Sequence, residues 1–295
     1  MPSIRKKTVG KEQYYYLEHS YREGGKVHKK EKYLGRTLPK NIEELKQQLR
    51  SEVYTGRWFT KFDKIRTQFQ EEAQRTPPTA REKELETFAN RFTYDTNRIE
   101  GSTLTLRETA DLLEKGITPA ARPLSDVKET EIHRNTFYEM LDYKKDLSFN
   151  TVLYFHKKLF KDTKADIAGL IRSHQIAISG SKFMPPFPAE IHPLLMDYFK
   201  WYNKNRNNMH PVELAALVHL KLVTIHPFAD GNGRISRLMM NLVLHRHDYL
   251  MLNIHYETRT GYYNALERSQ TKQDDTIFSQ WFFRRYLKEY KNYLK

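Results

Sequence analysis

Most of the chemistry open to this chain lies in twelve consecutive residues, His226-Pro227-Phe228-Ala229-Asp230-Gly231-Asn232-Gly233-Arg234-Ile235-Ser236-Arg237. A histidine, a carboxylate, a Gly-Asn-Gly turn and two arginines at this spacing describe an anion cradle with a base beside it. Gly231 and Gly233 permit the backbone conformation and the close approach that a cradle of N–H groups needs. Arg234 and Arg237, three residues apart on a helix, leave the same side and can clamp one polyphosphate. Asp230 offers the kind of oxygen that magnesium accepts alongside water and phosphate. A histidine with an ordinary pKa of about 6.5 is largely neutral near pH 7. His226 can therefore take a proton from a nucleophile aimed at a bound phosphorus, which implies phosphoryl or nucleotidyl transfer.

Two apolar segments must hold this string. Pro211–Ile225 is almost entirely apolar, as in a buried helix. Ile235, Leu238, Met239, Leu242 and Val243 then mark the stripe of a second helix. The polar string is a short loop entering the second helix at its N-terminus, where free N–H groups and the helix dipole favour an anion. Upstream, residues 82–96 read as a helix stopped at Gly101, and Thr105-Leu106-Arg107-Glu108 is a capping box for a helix ending at Gly116. Glu100 thus sits at a helix C-terminus, where the dipole disfavours a carboxylate unless it has a cationic partner or a task. Further helices are expected at 126–143, 151–160, 191–205, 258–270 and 275–293. Residues 176–186 alternate about a Ser179-Gly180-Ser181 turn and run into Pro185-Pro186-Phe187-Pro188, as in a small surface β-hairpin whose free edge can pair with another backbone.

The first 40 residues differ from the rest. They hold eleven Lys/Arg against four Glu, so about half of the chain's +14 comes from about a seventh of its 295 residues. Two strand-like runs, 13–20 and 26–34, flank Gly24-Gly25. A basic, tyrosine-rich hairpin can grip nucleic acid by phosphate contacts and stacking, or serve as a docking ribbon. Asn41 is a candidate helix cap with Glu44 three residues on, and apolar spacing carries a helical linker to Pro77-Pro78. No cysteine occurs, which excludes a disulfide framework, a thiolate zinc site and a cysteine nucleophile. The N-terminus lacks the apolar run of a signal peptide and no apolar segment is long enough to span a bilayer, so the expectation is a cytoplasmic protein with no membrane contact.

At every defined position the string from His226 to Arg237 matches the motif His-x-Phe-x-Asp/Glu-Gly-Asn-Gly-Arg-x-x-Arg, and the chain resembles the Fic (Fido) domain family. The likeness extends over about 81–283 and includes His210-Pro211-Val212-Glu213-Leu214-Ala215-Ala216-Leu217. It implies an all-α Fic fold with a β-hairpin flap and a catalytic domain at 81–295; the basic N-terminal β-hairpin (1–40) and the helical linker (41–80) lie outside the likeness. It also implies transfer of AMP from ATP to a Ser, Thr or Tyr hydroxyl of a target protein, with autoAMPylation expected. By this resemblance His226 is the general base and Asp230 holds Mg2+. Gly231, Asn232 and Gly233 form the anion hole, with the Asn232 side chain on the α-phosphate. Arg234 and Arg237 bind the outer phosphates, and Phe228 anchors the loop. Ile176, Ile178, Met184 and Pro185 belong to the flap that aligns the target. Tyr262 and Tyr263 lie near the adenine. A family asparagine near the nucleotide is Gln270 here, which leaves that contact open. Thr96-Asn97-Arg98-Ile99-Glu100-Gly101 fits the family's inhibitory motif, in which the glutamate pairs with the second arginine, here Arg237, and blocks a productive ATP pose. Two alternatives stay open. One is a de-AMPylating phosphodiesterase using the same site; the other is a nucleotide-switched regulator that binds nucleic acid or protein through residues 1–40. A homodimer is compatible with either.

Overall fold

Two buried helices side by side organise the larger part of the chain, and a basic sheet precedes them in sequence. The structure, a computed structural model, describes residues 2–23 and 25–295 and divides into two units, 1–65 with Leu294 and 66–293 with Lys295.

The first unit holds β1 (Ser3–Val9), β2 (Glu12–Glu23) and β3 (Lys26–Gly35), antiparallel in that order. The sequence suggests a two-stranded hairpin here; the sheet has a third strand. β1 pairs with β2 from Ser3 opposite Glu18 to Val9 opposite Glu12, around a turn at Gly10 (φ +63°). Its Ser-Ile-Arg-Lys-Lys-Thr-Val sequence carries little apolar alternation, because it is a largely exposed edge strand that needs none. Gly24 of the expected Gly24-Gly25 turn lies outside the described residues. Helix α1 (Ile42–Tyr54) follows, then a π-helical turn (Thr55–Phe59) and α2 (Thr60–Arg75). Asn41 precedes α1, but its side chain makes no capping hydrogen bond.

In the second unit α3 (Pro78–Ile99) starts on a proline, which costs nothing where the first N–H has no helical partner. The capping box at Thr105 and Glu108 opens α4 (Leu106–Lys115), and Gly116 closes it in the left-handed region (φ +68°). Then come α5 (Leu124–Asp142), α6 (Phe149–Phe160), α7 (Pro188–Asn205), α8 (Pro211–Ile225), α9 (Asn232–Arg246), α10 (Arg259–Lys272) and α11 (Asp275–Glu289). Helices α8 and α9 pack along each other at the centre, with α11 and α7 against α8 and α3, α5 and α6 against α9. Val212, Leu214, Ala215, Ala216 and Val218 are all buried, so α8 is covered on every side, as its uniform apolarity requires. Among the described residues no helix is long and apolar enough to cross a membrane.

The segment 176–186 departs from expectation. The turn is present, with Ser181 N–H donating to Ile178 O (3.1 Å) and Gly180 at φ +74°, but no strand pairing flanks it. Pro185, Pro186 and Pro188 lack N–H groups, and side chains take the carbonyls a ladder would use. Arg172 Nη2 donates to Pro186 O (2.6 Å) and Gln175 Nε2 to Pro185 O (3.0 Å).

Candidate active site

Helix α8 must end for the loop to turn, and His226 ends it in the left-handed region (φ +52°), unusual for a residue with a Cβ. Its ring Nδ1 lies 3.1 Å from Val223 O. A carbonyl can only accept, so Nδ1 carries the proton and the Nε2 lone pair is left to act as a base. Burial lowers the His226 pKa, opposed by the Val223 hydrogen bond and the Glu100 charge. The imidazole is therefore neutral over a wider pH range than an exposed one.

Phe228 locks the next stretch. Its ring stacks on His156 of α6 (3.7 Å between centroids, 10° between planes). His156 Nδ1 accepts from Gly169 N–H (2.9 Å) and its Nε2–H donates to Asp230 O (3.0 Å). Burial pushes its pKa down to about 4, so it stays neutral in this role. The Asn232 amide closes the loop on itself: Oδ1 accepts from Phe228 N–H (2.9 Å) and Nδ2 donates to Phe228 O (2.8 Å). Both ends of the amide are engaged, with one Nδ2 N–H left over, and Asn232 also offers its backbone N–H. It shares that role with Gly233 and Arg234 in the first turn of α9, where N–H groups have no intrahelical acceptor.

The glycines fit for steric reasons. A Cβ on Gly231, at φ +79°, would come within 2.3 Å of the Phe160 ring. One on Gly233 would come within 2.2 Å of Glu100 Oε1. The Glu100 carboxylate therefore lies against the N-terminus of α9, where an anion is favoured.

The two arginines are not equivalent, although they leave the same helix. Arg237 is 1% exposed and fully engaged. Its Nε donates to Thr96 Oγ1 (2.6 Å), Nη2 to Glu100 Oε1 (2.5 Å) and to Thr96 O (3.2 Å), and Nη1 to Tyr262 OH (3.4 Å). Arg234 turns away to Glu129 of α5 and to Asp230 Oδ2 (3.3 Å), with its guanidinium 4.5 Å from the Phe160 ring centre. Asp230 also meets Lys164 Nζ at 2.5 Å, and Lys164 reaches Glu129 at 3.2 Å. Burial would raise the Asp230 pKa, but Arg234 and Lys164 outweigh it and hold the carboxyl ionised.

This donor set fits a magnesium ion. Asp230 is a partly exposed carboxylate beside an anion cradle, and it already attracts a cation in Lys164. A second group, Asp95, His255 and Glu257, lies close enough together to surround an ion. Here the chemistry argues against one. Asp95 accepts from Arg91 Nε (2.7 Å), Asn253 Nδ2 (2.6 Å) and Tyr256 N–H (2.9 Å). Asp95 and Glu289 raise the His255 pKa to about 9, so an ion would have to displace the ring proton.

The tyrosines separate. Tyr262 is 1% exposed, and burial pushes its pKa up to about 12. Its hydroxyl accepts from Arg237 and lies 3.0 Å from His219 Nε2, so it braces the arginine. Tyr263 is half exposed and donates to Ile99 O (3.1 Å), tying down the end of α3 just before Glu100. Gln270 Nε2 donates to Thr224 Oγ1 (3.2 Å) on α8. Ile176 and Ile178 are half-buried, Met184 is exposed and Pro185 is buried.

Sequence reasoning did not find Arg172. This buried arginine donates from Nε to His226 O (2.9 Å), from Nη1 to His174 O (2.9 Å) and from Nη2 to Pro186 O. Its own N–H donates to Pro227 O (3.0 Å). One side chain thus ties the base of the 176–186 segment to the histidine loop. No local pattern marks it. His156 left a faint signal, a histidine on the apolar face of α6.

The Fic/DOC family model matches residues 146–244, which include this loop. Among curated proteins, the protein adenylyltransferases Fic of Drosophila ananassae and Drosophila melanogaster are each 33% identical over 178 residues, 59% of this chain and 35% and 36% of theirs. The chain thus spans about a third of the length of these curated relatives. Among solved structures, a Fic domain containing signaling protein from Bacteroides thetaiotaomicron aligns with a TM-score of 0.70 at 27% identity, over 79% of this chain and 96% of that one. Fic-1 from C. elegans aligns with a TM-score of 0.70 at 26% identity, over 87% and 77%. An intact motif, the surrounding helical architecture and these likenesses agree: residues 146–244 match the Fic/DOC family, and the fold around them is like that of solved Fic-domain structures.

Proposed function

We propose that the chain is an autoinhibited protein adenylyltransferase that transfers AMP from ATP to a hydroxyl side chain of a target protein. The catalytic domain is residues 81–295, and residues 1–40 are a separate basic module. One observation carries the reading. The His226 imidazole engages Val223 O through Nδ1, which leaves the Nε2 lone pair for a proton, and the Glu100 carboxylate on Arg237 lies against Gly233 at the start of α9. In the reaction, His226 Nε2 takes the hydroxyl proton as the hydroxyl oxygen bonds to the α-phosphorus. The bond from the α-phosphorus to the bridging oxygen breaks, and pyrophosphate leaves. The N–H groups of Asn232, Gly233 and Arg234 receive the negative charge of the phosphates. Mg2+ held by Asp230 would supply charge neutralisation at the phosphates. Arg237 would bind the terminal phosphate once Glu100 leaves, since carboxylate and phosphate compete for the same guanidinium. Arg172 orients the histidine loop relative to residues 176–186, where an extended target segment would lie.

Incubation with labelled ATP and magnesium tests this. Glu100→Gly should label itself at least tenfold more than the wild type, and His226→Ala in the same background should not label. A Glu100→Gly protein that neither labels nor binds nucleotide would sink the proposal. If the wild type instead strips AMP from a modified protein and Glu100→Gly does not, the same site runs as a phosphodiesterase.

A further inference from the structure

The solvent face of the N-terminal sheet has a composition that the proposed reaction does not use. Tyr14 and Tyr16 of β2 and Tyr33 of β3 form one cluster there, with Tyr33 lying 6.2 Å and 5.3 Å from the other two between ring centres. Tyr33 is 55% exposed. Cations sit on the rings: Lys7 Nζ lies 4.4 Å from the centre of Tyr16 and the Arg36 guanidinium 5.6 Å from that of Tyr14. Strand alternation puts Arg5 and Lys29 on this same face, since Arg5 is opposite Tyr16 and Lys29 is opposite Ser20.

Two carboxylates are set among these cations. Glu18 meets Lys29 at 2.6 Å and Arg5 at 3.8 Å, and Glu31 meets Lys7 at 3.0 Å and Lys29 at 2.6 Å. Three cations against two carboxylates leave the centre of the face positive while fixing the side chains around the rings. Residues 1–40 as a whole hold eleven Lys/Arg against four Glu. Lysines on edge strands guard against edge-to-edge pairing, and cross-strand tyrosines add stability. Edge protection does not call for three tyrosines between the lysines with cations over their rings. Aromatic faces interleaved with Lys and Arg on an open sheet suit an unpaired strand of nucleic acid, whose bases stack while its phosphates are neutralised.

We propose that this face binds single-stranded nucleic acid, with Tyr16 and Tyr33 as the stacking platform and Arg5, Lys7 and Lys29 as phosphate contacts. Bases supply the aromatic faces and the backbone supplies the charge that the net-positive module attracts. Duplex DNA, whose bases are already stacked, has nothing to offer the tyrosines.

Fluorescence anisotropy of the full chain tests this at physiological salt, with labelled oligouridine, oligothymidine and a duplex of equal length, and with heparin and polyglutamate as competitors. The expected result is tighter binding of a single strand than of the duplex, heparin or polyglutamate. A preference between the two strands assigns RNA or DNA. Tyr33→Ala should weaken binding about tenfold, while Tyr33→Phe, which keeps the ring, should bind like the wild type. Lys7→Gln should lower the salt slope by about 0.7. Three outcomes overturn the proposal: no binding of either strand, heparin or polyglutamate competing as well as a single strand, or undiminished binding by Tyr33→Ala with an unchanged circular dichroism spectrum.

Discussion

At the scale of single residues, the site contains two internal substitutes for ligand charge. Glu100 stands where an anion would meet Arg237, and Lys164 stands where a cation would meet Asp230. If Lys164 competes with a divalent ion, Lys164→Met should tighten Mn2+ binding several-fold in an electron paramagnetic resonance titration. Unchanged binding would mean that Lys164 is incidental to the metal. The histidine carries a second test. Burial lowers its pKa, so the neutral base persists to lower pH than in an exposed histidine. The acid limb of kcat/KM for the Glu100→Gly enzyme should therefore fall below about pH 6.5, the ordinary histidine value. A limb at or above that value would argue that another group controls the rate.

At the scale of elements, the loop between α8 and α9 is held from three sides: Phe228 on His156, Asn232 on Phe228, and Arg172 on His226 and Pro186. Gly231→Ala should both strain a backbone at φ +79° and push on the Phe160 ring. Overpacking of this kind costs about 1–3 kcal/mol. The expected result is a lower Tm together with loss of nucleotide binding, read by differential scanning calorimetry and isothermal titration. Arg172→Met removes three charged donations to part-buried carbonyls. At about 1.5–3 kcal/mol for a hydrogen bond to a charged group, with partial re-solvation, a net loss of about 3 kcal/mol is expected. For a unit of this size that corresponds to roughly 6–12 °C in Tm. A Tm within about 1 °C of the wild type would mean that the arginine contributes nothing to holding the loop.

At the scale of the molecule, a partly buried charge network joins α3 to α11 within the second unit. Asp95 of α3 meets His255 at 3.0 Å, and His255 meets Glu289 of α11 at 3.3 Å. Asp95, then Glu289, raise the His255 pKa to about 9. A raised histidine pKa contributes stability that is fully present below the unfolded value of about 6.5 and is lost as pH rises towards 9. The Tm should therefore decline from pH 6.5 to 9, and His255→Gln should flatten the decline while lowering stability at pH 6. A wild-type profile level over that range would show that the pair does not titrate in it.

Much of the architecture was legible because it rests on local rules. The uniform apolarity of Pro211–Ile225 marks a core helix, the Thr105–Glu108 box marks a helix start, and the Gly-Asn-Gly turn marks an anion cradle. The pairing of Glu100 with Arg237 was legible through the resemblance. Local rules failed where apolar alternation is missing or side chains take the place of a strand ladder. β1 carries no apolar alternation and forms through its neighbour, and residues 176–186 keep the turn while their carbonyls go to Arg172 and Gln175.

Residue types and spacing by themselves determined that a base, a carboxylate, glycines and arginines would meet at a helix N-terminus, because all lie within one turn and one loop. Only the tertiary structure decided how each is used. Arg237 is buried against Thr96, Glu100 and Tyr262 while Arg234, three residues earlier, turns to Glu129 and Asp230. It also decided that Tyr262 braces an arginine, that Asn232 closes its own loop, and that Lys164 and Arg172 belong to the site at all. These outcomes depend on which distant charges and carbonyls are buried beside a side chain, and the need to satisfy a buried polar group has no signature in local sequence.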